Sequence, residues 1–179
     1  MKCKIIFLTG FMGSGKSTIG PILANTVGWD FYDLDKIIED KVGLKVTEIF
    51  EKFGEEYFRK IEKDTLHELI LKGNIIVSLG GGTIANLDNL NLVKKTGKLI
   101  YLKTSPGIIY ERLRFKRDRP VLNLDGTINL DKNQFVEKIS KLMNTRNKYY
   151  NQADITIDTD NISIGLTVDK IVKLLRVYK

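Results

Sequence analysis

Short apolar runs alternate along the chain with longer stretches in which apolar residues recur at helical spacing. The apolar runs predict strands at residues 4–9, 31–34, 75–79, 98–102 and 155–158. The longer stretches predict helices at residues 16–27, 35–42, 46–53, 55–72, 87–95, 106–115, 132–151 and 165–177. Alternation of strand and helix predicts an α/β fold, a parallel sheet with helices on both faces.

Polar motifs follow the first three predicted strands. The segment 10–17 comes after the first strand, Asp33 and Asp35 close the second, and Gly80-Gly81-Gly82 follows the third. Ligands in folds of this class bind at the carboxyl ends of the strands, where the loops gather. The three motifs are therefore expected to form one site.

The segment 10–17 reads Gly-Phe-Met-Gly-Ser-Gly-Lys-Ser, which is the complete phosphate-binding loop pattern G-x-x-x-x-G-K-[ST] between a strand and a helix. Its glycines allow several backbone amides to point at one anion, and the next helix adds its positive end. We expect Lys16 to reach the β- and γ-phosphates of a nucleotide and the Ser17 hydroxyl to ligate Mg²⁺.

Asp33 and Asp35 flank Leu34, and strand alternation places them on the same side. Beside a phosphate-binding loop, one carboxylate would serve the Mg²⁺ shell and the other a substrate. The alternative is that Asp35 only caps the helix that follows.

Arg59 and Glu62 are three residues apart on a predicted helix, so they share a face. They form either a surface ion pair of little consequence or a pair in which Glu62 orients Arg59 to clamp an anion. Arg146, near the end of the predicted helix at 132–151, is by itself explained by the helix C-terminus.

The glycine triplet at 80–82 removes all side-chain bulk at the end of the third strand. It is either a flexible turn or a place where the backbone closely approaches a ligand.

The segment 114–129 lacks periodicity and is charged and turn-rich, which predicts a lid in a phosphate-handling enzyme. Five cations lie within the eight residues 112–119, at Arg112, Arg114, Lys116, Arg117 and Arg119. They are either a solvated charge run or a source of charge for phosphoryl transfer, and Arg119 is the best candidate because Pro120 stiffens the backbone beside it.

The composition adds limits on function. A chain of 179 residues predicts one domain, and its net charge of +7 suits either nucleic acid or small anions. Without a basic stripe interleaved with aromatics, the small-anion interpretation is favoured. The single cysteine, Cys3, excludes a disulfide within the chain, and the short first apolar run predicts a strand and not a signal peptide, so we expect a cytoplasmic protein without membrane association.

Together the motifs resemble those of shikimate kinases over nearly the whole chain. The ordered set is the phosphate loop, Asp33-Leu34-Asp35, Phe58-Arg59-Lys60-Ile61-Glu62, the glycine triplet, Arg119-Pro120-Val121-Leu122 and Arg146 with Tyr149 and Tyr150 behind it. The resemblance implies a five-stranded parallel sheet of the nucleoside-monophosphate-kinase type. It also implies transfer of the ATP γ-phosphoryl group to the 3-hydroxyl of shikimate, on the route to aromatic amino acids.

The resemblance assigns roles to individual residues. ATP would be bound by Gly13, Ser14, Gly15, Lys16, Ser17, Thr18, Arg112 and Arg119, and shikimate by Asp35, Arg59, Gly80, Gly81, Gly82 and Arg146, with Phe50 and Phe58 near its ring. Ser17 and Asp33 would hold Mg²⁺, while Lys16, Asp35 and Arg119 would be the catalytic residues. A substrate-binding segment at about 35–62 and a lid at about 114–129 would belong to one monomeric domain spanning residues 1–179.

The chain departs from the family pattern at Asn161-Ile162-Ser163-Ile164, where many members carry Arg and Pro residues against the adenine. A second departure is Val121, which stands where a leucine is usual. Alternative functions are a small kinase for gluconate or a nucleoside monophosphate, and a GTPase-like switch. The glycine triplet with Asp35 and Arg59 favours shikimate, and the missing Asn-Lys-x-Asp signature disfavours the switch.

Overall fold

The computed structural model describes residues 5–114 and 131–177. The five predicted strands are present as Ile5–Thr9 (β1), Asp30–Asp33 (β2), Ile75–Ser78 (β3), Lys98–Lys103 (β4) and Ile155–Asp158 (β5). All pairings are parallel, in the order β2-β3-β1-β4-β5. Predictions for Cys3, for Arg119 and for residues 115–129 of the lid lie outside the described residues.

The helices follow the predicted positions closely. They are Lys16–Val27 (α1), Leu34–Val42 (α2), Val46–Leu69 (α3), Leu87–Thr96 (α4), Pro106–Leu113 (α5), Lys132–Tyr150 (α6) and Ile164–Val177 (α7). A 3₁₀ turn at Thr83–Ala85, which the sequence pattern did not predict, links the glycine triplet to α4.

The prediction that Asp33 and Asp35 share one side of a strand is wrong. Strand β2 ends at Asp33, and Asp35 lies in the first turn of α2. The Asp33 carboxylate accepts a hydrogen bond of 3.4 Å from the Lys36 amide, so Asp33, and not Asp35, caps the helix. Asp35 is thereby placed on a helix that begins at the carboxyl edge of the sheet.

Helix α3 contains a break at Gly54, the residue at which the sequence predicted a gap between two helices. Gly54 has φ 81° and ψ 173°, a backbone conformation essentially restricted to glycine. The break separates the segment that carries Phe50 from the segment that carries Phe58 and Arg59.

The sheet is buried on both faces, as its central strand illustrates. Ile5 and Phe7 of β1 belong to a cluster with apolar side chains of α2, α3 and α4, whereas Ile6 and Leu8 belong to a second cluster with α1 and α7. This burial explains why β1 reads as a continuous apolar run. A third, smaller cluster joins the phosphate loop to α5 and α6 through Phe11, Ile109, Leu113, Ile139 and Met143.

Among the helices within residues 5–114 and 131–177, none is both long enough and apolar enough to cross a membrane.

Candidate active site

The phosphate loop curls at the carboxyl end of β1 and leads directly into α1. Gly13 and Gly15 have φ values of 78° and 102°, which turn the loop so that it ends at the first residue of the helix, Lys16. The Lys16 ammonium donates to the Gly10 carbonyl at 2.8 Å and to the Phe11 carbonyl at 3.2 Å. It is thereby held against the loop in which a nucleotide phosphate would bind.

A cavity of about 660 Å³ extends from the phosphate loop. It is lined by the loop and the start of α1, and also by Arg112, Leu113, Thr159, Ile162, Ser163, Ile164 and Thr167. A nucleotide with its phosphates on the loop would have room for its base and ribose beside the segment before α7. The segment 161–164 contributes to this lining although it lacks the Arg and Pro residues of many family members.

Arg112 links the phosphate loop to the residue that follows β5. Its guanidinium donates to the Gly13 carbonyl at 3.2 Å and to the Thr159 carbonyl at 2.9 Å. Thr159 is in turn fixed by a buried hydroxyl pair with Thr104, with 2.6 Å between the two oxygens. The sequence singled out Arg112, but neither threonine carries a local pattern that would have revealed this network.

Ser17, which lines the cavity, is hydrogen-bonded to Asp33. The Ser17 hydroxyl donates to the second carboxylate oxygen of Asp33 at 3.3 Å, across 16 residues of sequence. A hydroxyl beside a carboxylate offers the oxygen ligands that Mg²⁺ prefers.

Asp35 is half-buried and has an unusual acidity. Its pKa is raised to about 6, mainly by burial and also by the nearby carboxylates of Asp33, Glu62 and Glu39, while the Lys16 ammonium lowers it. The influence of Lys16 places Asp35 in the electrostatic field of the phosphate loop.

Arg59 lies in a cage of carboxylates and aromatic rings. Its Nη1 donates to Glu62 at 2.8 Å, and its Nε and Nη2 both donate to Glu55 at 3.1 Å. The guanidinium carbon is 5.9 Å from the ring centroid of Phe50 and 5.4 Å from that of Phe58. The contact between Arg59 and Glu62 that the spacing predicted is present, and Glu62 is buried, which a surface ion pair would not be.

The glycine triplet lies against the polar ends of three candidate side chains. A Cβ atom added at Gly80 would lie 2.7 Å from Asp35 Oδ1, one at Gly81 would lie 2.9 Å from Arg146 Nη1, and one at Gly82 would lie 2.9 Å from Arg59 Nη2. Each glycine therefore leaves room for one charged group. The structure thus brings Asp35, Arg59 and Arg146 together around one loop.

Arg146 reaches the triplet from α6, and Tyr150, one turn later in the same helix, forms a hydrogen bond with the triplet. The Tyr150 hydroxyl donates to the Gly81 carbonyl at 2.8 Å, and its ring stacks on Tyr101 with centroids 5.0 Å apart. The Arg146 guanidinium carbon lies 5.7 Å from the ring centroid of Phe11, a residue of the phosphate loop. Arg146 therefore lies where the phosphate loop and the glycine triplet meet.

Comparison with known proteins identifies the family. The family model for shikimate kinase matches residues 12–176, which is most of the chain. The chain belongs to the shikimate kinase family. Its reaction is the ATP-dependent phosphorylation of shikimate, in the biosynthesis of aromatic amino acids.

Similar shikimate kinases include both curated relatives and solved structures. One from Chlorobium phaeobacteroides (strain DSM 266) is 45% identical, over 97% of this chain and 92% of the relative. The crystal structure of shikimate kinase from Bacteroides thetaiotaomicron matches with a TM-score of 0.87 and 32% identity, over 97% of this chain and 98% of that one. The shikimate kinase from Acinetobacter baumannii in complex with shikimate matches with a TM-score of 0.88 and 32% identity, over 99% of this chain and 95% of that one.

Proposed function

We propose that the two adjoining parts of this site divide the reaction between them. Lys16 and the amides of residues 13–18 bind the ATP phosphates, with Arg112 beside the base end of the cavity. Asp35, Arg59 and Arg146 bind shikimate around the glycine triplet and present its 3-hydroxyl to the γ-phosphate. The observation that carries this assignment is the triplet itself, since each of its glycines accommodates the end of one of the three charged side chains.

The two arginines would bind the carboxylate of shikimate. A guanidinium recognises a carboxylate through a planar pair of hydrogen bonds, and both arginines are anchored by aromatic rings. Asp35, whose carboxylate lies at Gly80, would accept a hydrogen bond from the attacking hydroxyl and orient it. Catalysis would consist mainly of positioning and of charge neutralisation by Lys16.

Mg²⁺ fits the pair formed by Ser17 and Asp33. Their hydroxyl and carboxylate oxygens lie 3.3 Å apart at the phosphate loop and would hold the ion directly or through water. When bound, Mg²⁺ would neutralise charge on the ATP phosphates. The residues of the chain hold and aim the two substrates.

Further assignments are part of the same proposal. Arg119 would face the ATP phosphates from a lid at 114–129. The chain would act as a single domain, as a monomer and in the cytoplasm. Its excess positive charge would serve two anionic substrates and not nucleic acid.

The test is steady-state kinetics of ADP release for variants of the two halves of the site. Arg59→Ala should raise the KM for shikimate at least tenfold and leave the KM for ATP nearly unchanged, because a charged hydrogen bond is worth about 1.5–3 kcal/mol. Lys16→Met should instead remove most turnover. Equal effects of Arg59→Ala on both KM values would contradict the assignment, as would near-normal kcat for Lys16→Met.

A further inference from the structure

A chain of buried hydrogen bonds continues behind Arg59. The Thr83 hydroxyl donates to Glu62 Oε1 at 2.6 Å, while Glu62 Oε2 accepts from Arg59 Nη1 at 2.8 Å. Thr83 is 0% exposed and Glu62 is 1% exposed, so no bulk water competes for these oxygens. Each oxygen of the buried carboxylate is therefore held by one protein donor.

Thr83 is itself fixed in position from two sides. Its amide donates to the Gly80 carbonyl at 3.2 Å within the turn that follows the glycine triplet. Its carbonyl accepts from the Asn89 side-chain amide of α4 at 3.2 Å, and Asn89 is also buried. The backbone of Thr83, whose hydroxyl holds Glu62, is thus anchored to the loop after β3 and to α4.

We propose that Thr83 is a positioning residue for shikimate, acting through Glu62 to fix the direction of the Arg59 guanidinium. This inference rests on the proposed role of Arg59. Glu55, the other carboxylate partner of Arg59, is 67% exposed and forms its contact in solvent, where an ion pair fixes a side chain weakly. The buried pair with Glu62 is the one that defines the geometry, and Thr83 prevents its carboxylate from rotating.

Loss of the Thr83 hydroxyl would leave Glu62 Oε1 buried without this donor. A buried acceptor that loses its donor is unfavourable, so the carboxylate would turn away from its present orientation. This turn weakens the ion pair and gives Arg59 more rotamers. Binding of the substrate carboxylate would then have to restrict the Arg59 guanidinium to one orientation again, whereas binding of ATP would not.

The experiment compares three variants by KM for shikimate, KM for ATP and kcat. Thr83→Val is close in shape but lacks the hydroxyl, and Thr83→Ser keeps it. Thr65→Val is the matched control, since Thr65 is a buried threonine of the same helix as Glu62 and its hydroxyl accepts from Lys41 at 3.2 Å, away from the site.

Thr83→Val should raise the KM for shikimate about tenfold, as expected for a weakened charged hydrogen bond, and change the KM for ATP and kcat less than about twofold. Thr83→Ser should stay within about twofold of the native protein for all three constants. Thr65→Val should behave like the native protein. If Thr83→Val does not fold, Thr83→Ala removes the same hydroxyl with a smaller side chain and replaces it in the comparison.

Arg59→Ala, measured alongside, separates this inference from the proposed function. If Arg59→Ala raises the KM for shikimate and Thr83→Val does not, the positioning role is overturned while the clamp stands. If Arg59→Ala has no effect, the clamp itself fails. In the double variant, Thr83→Val should add little to the effect of Arg59→Ala, and full additivity would overturn the coupling.

Discussion

Asp35 lies in an environment unlike that of a surface carboxylate. Burial and the neighbouring charge of Asp33 together raise its pKa to about 6, against the opposing effect of the Lys16 ammonium. A carboxylate in such a position is poised to accept a proton or a hydrogen bond near neutral pH. The same environment makes the ionised form costly to the folded protein.

The first prediction concerns the pH dependence of activity. If the ionised Asp35 orients the shikimate hydroxyl, kcat/KM should fall about tenfold per pH unit below about pH 6, because the carboxyl becomes protonated there. Asp35→Asn should lose activity by about a hundredfold or more and should lack this acidic limb. A profile of kcat/KM for shikimate that is flat from about pH 5 to 8 would contradict the role.

The second prediction concerns the stability of Asp35→Asn. The pKa rises from 3.8 to about 6 on folding, so proton binding stabilises the folded state fully below pH 3.8, and this contribution is lost as the pH rises through 6. Asparagine has no charge to bury. At pH 7.5 the variant should therefore have a free energy of unfolding about 1–2 kcal/mol above that of the native protein. Urea unfolding at pH 7.5 and pH 4 measures it, and an equal difference at both pH values would contradict the electrostatic cause.

At the level of elements, the connection from β3 to α4 organises the proposed substrate half of the site. Its three glycines face Asp35, Arg146 and Arg59, and Thr83 follows them with a hydroxyl on Glu62. The close contacts of the glycines are with the ends of flexible side chains, which can move aside. A methyl group here should therefore disturb binding far more than folding.

The third prediction tests this connection with Gly82→Ala. The new Cβ would lie 2.9 Å from Arg59 Nη2 and displace the guanidinium, and Gly82 has a φ of −112°, so the backbone accepts alanine. We expect the KM for shikimate to rise about tenfold, with a change in unfolding free energy under about 1 kcal/mol. Gly107→Ala is the control, since a Cβ there meets open space in α5 and should leave both KM values unchanged. Loss of stability without a change in KM would show that the triplet serves packing alone.

Elements were easier to predict from the sequence than their contacts. The apolar runs predicted the five strands, because strands buried on both faces of a sheet are apolar throughout. Gly54 predicted the break in α3, because the backbone conformation there is accessible only to glycine. The predicted end of β2 is wrong, because Asp33 and Asp35 fit an alternating strand as well as they fit a helix cap followed by a first helical turn. The hydrogen bond from Thr83 to Glu62 spans 21 residues, and no local pattern predicts such a distance in sequence.

At the scale of the whole molecule, the two proposed half-sites share one edge of the sheet. The proposed ATP half lies after β1, where α1 begins, and the proposed shikimate half lies after β3, with α3 and α6 supplying its arginines. Strands β1 and β3 are direct neighbours, which brings the Gly10 carbonyl to 3.9 Å from the position of a Cβ at Gly81. The halves are adjacent but use different side chains, so each should bind its own ligand independently.

The fourth prediction is that each of two variants loses the stabilisation by one ligand and keeps the stabilisation by the other. A ligand at about 100 times its Kd stabilises the folded protein by about 2.7 kcal/mol, which for a chain of this size raises Tm by about 5–10 °C. Shikimate should still raise the Tm of Lys16→Met, while Mg-ATP should not, because the ammonium beside Gly10 and Phe11 is gone. Mg-ATP should still raise the Tm of Arg59→Ala, while shikimate should not.

Because one sheet carries both halves, each variant should unfold in a single transition. If either variant loses the increase in Tm with both ligands, the two halves cannot form separately. If Lys16→Met instead responds only to Mg-ATP and Arg59→Ala only to shikimate, the assignment of the two sites is reversed.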